Sequence, residues 1–299
     1  MEAERIPRDQ IDGVRRFNRT VTQRVGALND AYLSRDRPLG LARLLWEIAD
    51  GAEVRVLRSR LGLDSGYLSR QLRRLEADGL VTTDTGPGDG RVRRVRPTPA
   101  GTAEQAVLDL ASDDLAASIL EPLDPARRER LVAAMGEVER LLLSAQVRIG
   151  AADPRGSDAR FCLRSYFAEL ERRFETGFDP GRSISASDEE MSPPRGLLLV
   201  ATLHGAPVGC GALKLHPGTS TAEVKRMWTA PEVRGLGLGR RLLERMEEEA
   251  AGRGIRTLRL ETNRTLTEAI GLYRGAGFTE VDAFNDEPYA HLWFEKALR

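Results

Sequence analysis

The sequence predicts two domains of different class, a mainly α-helical N-terminal half and a mixed α/β C-terminal half. Three observations carry this reading. The 299 residues, 41% of them hydrophobic, suffice for two cores at about 100–200 residues per domain. Up to about Ser144 the apolar residues recur at helical spacing, whereas beyond Ser157 short β-type runs alternate with helical patterns. Between them, Ile149-Gly-Ala-Ala-Asp-Pro-Arg-Gly-Ser-Asp breaks the periodicity with turn-forming residues, which places the boundary between domains 1–149 and 150–299.

Taken in order, Gln10 to Tyr32 reads as a first helix and Leu39 to Ala49 as a second, ended by Gly51. Val54–Leu61 is a short third helix. Gly62-Leu63-Asp64 makes a tight turn into a fourth, Ser65–Ala77, for which Asp64 is the expected N-cap. Leu80–Thr85 and Arg91–Pro97 flank the glycine-rich tip of a β-hairpin. Thr102–Leu120 and Pro125–Val147 are long helices, with Pro125 suited to a first turn. After the boundary come a strand at Phe161–Arg164, a helix at Ser165–Phe174 and a polar loop at Phe178–Pro194. Strands Gly196–Leu203 and Val208–Leu215 flank the hairpin signal His204-Gly-Ala-Pro. A strand at Glu223–Trp228, a helix from Gly239 to Gly252, a strand at Thr257–Thr262 and a helix at Leu266–Gly275 follow. Strands near Thr279–Ala283 and His291–Phe294 close the chain.

Composition excludes several classes. No run of about 18 apolar residues exists, and the charged start Met1-Glu-Ala-Glu-Arg is not followed by an apolar segment, so a soluble cytoplasmic protein without a membrane partner is expected. Cys162 and Cys210 have neither metal nor CxxC spacing, which leaves no disulfide framework and no metal site. The balance of 45 basic and 45 acidic residues first argues against nucleic acid. It conceals a local excess, because residues 55–96 hold ten arginines and five acids.

That excess sits on a helix-turn-helix and its hairpin. Leu68, Leu72 and Leu75 form one buried stripe of the second helix. The opposite face carries Ser65, Tyr67, Ser69, Arg70, Arg73 and Arg74, groups suited to base edges and phosphates in a major groove. With Gly79-Leu80-Val81 and Asp89-x-Arg91-x-x-Arg94 in the hairpin, residues 10–147 resemble the multiple-antibiotic-resistance-regulator (MarR) family of winged-helix repressors. The resemblance implies a winged helix-turn-helix fold and a homodimer through the first and last helices. It also implies binding to double-stranded DNA, with Arg91 reaching a minor groove and Asp89 positioning it.

The second half carries a phosphate cradle. Arg234-Gly235-Leu236-Gly237-Leu238-Gly239-Arg240 leads from a strand into a helix, so amides of about Leu236 to Arg240 can converge on an anion at the helix N-terminus. A P-loop requires GK[ST], and the third glycine of a dinucleotide fingerprint would fall at Leu242, so neither fits. Arg-x-x-Gly-x-Gly fits, at Arg234, Gly237 and Gly239. With Leu260-Glu-Thr-Asn263 and Ala269-Ile-Gly-Leu-Tyr273-Arg-Gly-Ala-Gly-Phe278, residues 158–299 resemble the GNAT superfamily of N-acetyltransferases. That resemblance implies an α/β fold with a mixed central sheet and acetyl-CoA as cofactor. It implies pantetheine contacts from Met227, Trp228, Thr229 and Asn263, and Tyr273 as the acid that protonates the leaving thiolate.

Amide formation also needs a base. Glu223, Glu261 and His291 remain alternatives for it. Arg226 could meet an acceptor carboxylate, and Asp286 or Glu287 an ammonium, which points to an amino acid or another small zwitterion among small-molecule or peptide amines. The expected protein is a DNA-binding transcriptional regulator that is also an acetyl-CoA-dependent N-acetyltransferase. The alternatives are a regulator that senses acyl-CoA without turnover, and a winged helix serving only as a dimerisation scaffold.

Overall fold

The computed structural model describes residues 5–27, 33, 37–85 and 93–298. It divides into two compact units, Met1–Ala134 and Met135–Arg299.

The first unit holds α1 (Arg8–Arg24), α2 (Leu39–Ile48), β1 (Ala52–Glu53), α3 (Val54–Leu61), α4 (Ser65–Ala77), β2 (Val81–Thr85), β3 (Arg93–Pro97) and α5 (Pro99–Leu120). The division crosses α6 (Pro125–Gln146). The predicted turn between α3 and α4 forms as the sequence requires. Gly62 closes α3 in the left-handed conformation at φ 62°, and the Leu63 amide donates back to Arg58 O at 3.1 Å. Asp64 then caps α4, its Oδ1 accepting from the Gly66 and Tyr67 amides at 2.9 and 3.0 Å. Leu68, Leu72 and Leu75 bury against Leu41, Leu45, Leu57 and Val95, each worth about 1.5–3 kcal/mol of apolar burial. Strands order as β1-β3-β2, all antiparallel. Thr98 caps α5, and Gly101 is required there because a Cβ would lie 1.9 Å from the Leu80 carbonyl oxygen. Helix α1 buries no side chain and exposes Ile11, Val14, Phe17 and Val21. The first helix ends at Arg24, and Tyr32 lies outside the described residues.

The second unit is built on a seven-stranded sheet of order β4-β5-β6-β7-β8-β10-β9. The strands are β4 (Arg148–Ala152), β5 (Gly196–Leu203), β6 (Ala206–Leu215), β7 (Thr221–Thr229), β8 (Thr257–Thr262), β9 (Thr279–Val281) and β10 (Leu292–Ala297). All neighbours are antiparallel except β7 and β8. Its helices are α7 (Ser157–Arg173), α8 (Leu238–Ala251) and α9 (Thr267–Gly275). Alternation along β6 sends successive residues to opposite faces. A Cβ on Gly209 would meet Leu238 and one on Gly211 would meet Met246, both of α8, whereas Cys210 between them neighbours Cys162 of α7. The two long helices therefore cover opposite faces, and both cysteines are buried, free thiols.

Two local expectations are corrected. Phe161–Arg164 is not a strand but part of α7, because Ala159, Cys162, Leu163 and Leu170 form one buried helical stripe that starts upstream of Ser165. Residues 148–152, assigned above to the turn-rich connection and its approach, are strand β4. Gly150, Ala151 and Ala152 have little strand preference, and backbone pairing with Leu198–Val200 decides their conformation. No helix among the described residues is long and apolar enough to cross a membrane.

Candidate active site

The site originates in an interrupted strand pair. Strands β7 and β8 are in register only at Thr221↔Thr257, Ala222↔Leu258 and Glu223↔Arg259, so Val224–Thr229 have no ladder partner in β8. Peptide groups on that edge are left for another molecule, since buried backbone polar groups seek partners. A bulge adds to the divergence. Cys210 faces Trp228 and Ala212 faces Lys225, leaving Arg226 and Met227 opposite Gly211 alone. Arg226 sits at φ 57°, a left-handed conformation that costs a non-glycine residue of order 1 kcal/mol.

One opening of this gap is a cavity of about 480 Å³, lined by Met227, Trp228, Thr229, the glycine-rich turn, Leu272 and Tyr273. After a 3₁₀ turn at Pro231–Val233, Gly235 and Gly237 take φ 80° and 73°, and Gly237 stands at the N-terminus of α8. The first intrahelical bond runs from the Arg241 amide to Gly237 O at 3.1 Å. The amides of Leu238, Gly239 and Arg240, in the first turn, therefore face an incoming anion. The Leu236 amide, expected to join them, donates instead to Val233 O at 3.3 Å. A Cβ on Gly235 or Gly237 would meet no protein atom within 4 Å, so the space above the turn is open. Arg234 also lines the cavity and is engaged along its wall, its Nη2 donating to Glu169 Oε2 at 2.5 Å and to Thr229 O at 3.1 Å. Asn263 is likewise engaged, donating to Tyr289 O at 2.8 Å and accepting from the Thr265 amide at 3.0 Å.

The other opening is a smaller cavity of about 90 Å³ that shares Tyr166, Met227 and Tyr273 with the first. Tyr273 is buried against Phe278 and Phe294, and burial, then the neighbouring Tyr166 and Glu261, push its phenol far above the ordinary tyrosine value. Lys225 and Glu261, which line this cavity, belong to a chain of charges that continues to Glu223 and His216, which line neither cavity. His216 Nε2 lies 2.6 Å from Glu223 Oε1, Lys225 Nζ lies 2.7 Å from Glu223 Oε2, and Lys225 also bonds Glu261 Oε1. Burial would raise Glu223, but the Lys225 ammonium and His216 outweigh it and hold the carboxyl below the usual range. For Glu261 burial prevails over Lys225, helped by the charges of Glu223 and Glu287, and its carboxyl is raised. Lys225 is raised in turn, its two carboxylates outweighing burial.

The remaining expected residues divide. Glu287 borders the smaller cavity but is engaged, its Oε2 accepting from the Ser183 hydroxyl and the Ile184 amide at 2.9 and 2.6 Å. Asp286 is exposed and lines neither cavity. His291 is exposed, with the Arg264 amide 3.5 Å from its Nδ1. Sequence reasoning missed Glu169, a buried hub that also accepts from Trp228 Nε1 at 3.1 Å and pairs with Arg173. The one signal for it was a carboxylate beside the apolar stripe of α7. It also missed Lys225 and His216, whose roles depend on strand pairing.

In the first unit, Ser65, Tyr67, Arg70, Arg73 and Arg74 are exposed on α4, and Ser69 is half-buried. Arg94 is exposed on β3, whereas Asp89 and Arg91 lie outside the described residues. No cluster of metal-ligating side chains occurs among the described residues.

The family match falls within the second unit. Residues 163–278 match the Acetyltransferase (GNAT) family. The chain is 40% identical over 114 residues to an IAA acetyltransferase of Azospirillum brasilense, covering 37% of this chain and 73% of that one. It is 30% identical over 179 residues to a mycothiol acetyltransferase of an Arthrobacter species, covering 58% of this chain and 55% of that one. A GNAT-family acetyltransferase structure from Staphylococcus aureus aligns with a TM-score of 0.44 at 16% identity, over 51% of this chain and 99% of that one. The splayed strands, the glycine turn with its free amides and the open cavity fit acetyl-CoA, and the chain belongs to the GNAT family, as an acetyl-CoA-dependent N-acetyltransferase.

Proposed function

We propose that the second unit acetylates the amino group of a small molecule bound in the cavity beside Glu261, and that the first unit is a winged-helix module that binds duplex DNA. The observation carrying the enzymatic part is that Tyr273 borders both cavities, at the point where they meet between β7 and β8. Acetyl-CoA, when bound, supplies an activated thioester. Amides of the first turn of α8 would hold its phosphates, and the unpaired edge of Val224–Thr229 would orient its arm and offer donors to the carbonyl. Arg234 positions Thr229 rather than touching the anion. Glu261, with a raised carboxyl and one free oxygen, takes the proton of the acceptor ammonium, while Glu223 stays ionised and holds Lys225. The Tyr273 phenol keeps its proton through the working range and delivers it to the departing sulfur.

The cradle makes a direct prediction. Gly237→Ala places a side chain at φ 73° and into the open space above the turn, so the KM and Kd for acetyl-CoA should rise about tenfold, a loss in the range of one charge-assisted contact. Calorimetric titration checks this, and an unchanged Kd removes Gly237 from the cradle.

The DNA-binding part is supported by the helix-turn-helix built by α3 and α4, the exposed row Ser65, Tyr67, Arg70, Arg73 and Arg74, and the exposed arginines of β3. The apolar stripe of α1 is the surface that a second copy of the chain covers in this reading. Arg73→Ala should weaken binding to upstream duplex and lower the salt dependence by about one phosphate's worth. Fluorescence anisotropy across a salt series measures the slope, and an unaltered slope takes Arg73 out of the phosphate set.

A further inference from the structure

Buried side-chain atoms without a hydrogen-bond partner are few among the described residues, and three of the six border the smaller cavity: Arg226 Nε, Ser185 Oγ and Glu261 Oε2. An unmade buried hydrogen bond costs about 1–3 kcal/mol, so such a cluster marks the shape of a missing molecule. Its chemistry is specific. Arg226 Nε is a donor only, Glu261 Oε2 is an acceptor when ionised, and Ser185 Oγ can do either.

The guanidinium is fixed rather than free. It stacks 4.5 Å from the Phe167 ring centroid, with Tyr166 at 5.6 Å, and its Nη2 donates to Ala186 O at 3.4 Å. The bulge that gives Arg226 its left-handed backbone sets its side chain among these partners. Ser185 belongs to the segment that Glu287 anchors through Ser183 and Ile184, so donor and loop are held together. Glu261 keeps one oxygen on Lys225 and leaves the other open. A ligand that satisfies all three atoms carries an acceptor for Arg226 Nε–H and a donor for Glu261 Oε2, and beside a guanidinium and a carboxylate an anionic acceptor and a cationic donor make the stronger, charge-assisted match.

We infer that the acceptor is an amino acid, its carboxylate received by Arg226 Nε–H and the Ser185 hydroxyl and its ammonium by Glu261 Oε2. This assignment rests on the acetyl-transfer reading above and deepens it. The ammonium gives one proton to Glu261, and the freed nitrogen lone pair forms the new N–C bond as the C–S bond of the thioester breaks. The departing sulfur takes the Tyr273 phenol proton, and the second proton lost by the acylated nitrogen restores that phenol. The cavity of about 90 Å³ admits a compact acceptor and excludes a folded protein surface. Glu287, expected from the sequence as an ammonium partner, serves instead to hold the loop that carries Ser185.

The test is CoA release by the full-length protein with the twenty amino acids, each beside its carboxamide and its decarboxylated amine. Wild type should favour at least one free amino acid over both counterparts by about 100-fold or more in kcat/KM, the discrimination reached when buried polar groups lose their partner. Ser185→Ala should reduce that ratio severalfold, and Arg226→Gln should bring it to within about threefold of one. Ser185→Ala, a small change in a half-exposed loop, keeps the test available should Arg226→Gln fail to fold. Equal use of amines with and without a carboxylate, or a preference that survives both substitutions, overturns the acceptor assignment and leaves acetyl transfer standing. Failure to acetylate any amine while acetyl-CoA binds overturns both.

Discussion

Tyr273→Phe is expected to lower kcat about 100-fold or more, about 2.7 kcal/mol of transition-state stabilisation, with the KM for acetyl-CoA within about twofold of wild type. The ring contacts with Phe278 and Phe294 do not involve the hydroxyl, so the substitution keeps the packing and removes only the proton donor. Burial holds that phenol protonated well above the ordinary tyrosine value of 10. Loss of the thiolate's proton source should therefore appear as slow turnover without weaker binding. An acceptor-independent drop in acetyl-CoA affinity would instead make Tyr273 a wall of the cavity.

Glu261→Gln should cost about 10²–10⁴ in kcat/KM and erase the acidic limb of its pH profile. The sign follows from the environment. A base works only when ionised, and Glu261 is raised above its ordinary 4.5 by burial and by Glu223 and Glu287, with Lys225 opposing. Activity in wild type therefore falls tenfold per pH unit once pH drops below this raised value, earlier than an exposed glutamate would impose. Tyr166 and Tyr273, which also sense the Glu261 charge, stay neutral there. In the glutamine variant no titration remains on that limb. A profile identical to wild type would return the base role to Glu223 or to His291.

Local rules made much of this fold legible. Asp64 reads as an N-cap because a short acceptor before an amphipathic run has one use, and it caps α4 as expected. Glycines at alternate positions 235, 237 and 239 read as a cradle because they let backbone amides converge on an anion where a helix starts, and the turn forms there with Gly235 and Gly237 at positive φ. What stayed hidden depends on pairing between distant segments. The pattern of Thr257–Thr262 says that it is a strand, yet nothing in it says that pairing with β7 stops at Arg259. Arg226 reads as a charge in a strand, and only the mismatch between β6 and β7 makes it a bulge residue stacked on Phe167. Glu287 reads as a free carboxylate on a loop, although three donors from 183–184 and 289 occupy it. The strand expected at Phe161–Arg164 fails for the related reason that four residues are too few to separate a buried strand from one flank of a helix.

The central claim is that acetyl passes to an acceptor nitrogen between β7 and β8. Mass spectrometry of the acceptor, run beside thiol-based quantitation of CoA in single-turnover mixtures, tests it most directly. One N-acetylated acceptor is expected for each CoA released, with both signals depressed together in Tyr273→Phe and Glu261→Gln. Tight acetyl-CoA binding with no acetylated amine at any pH would contradict it and leave a unit that senses acyl-CoA without turnover.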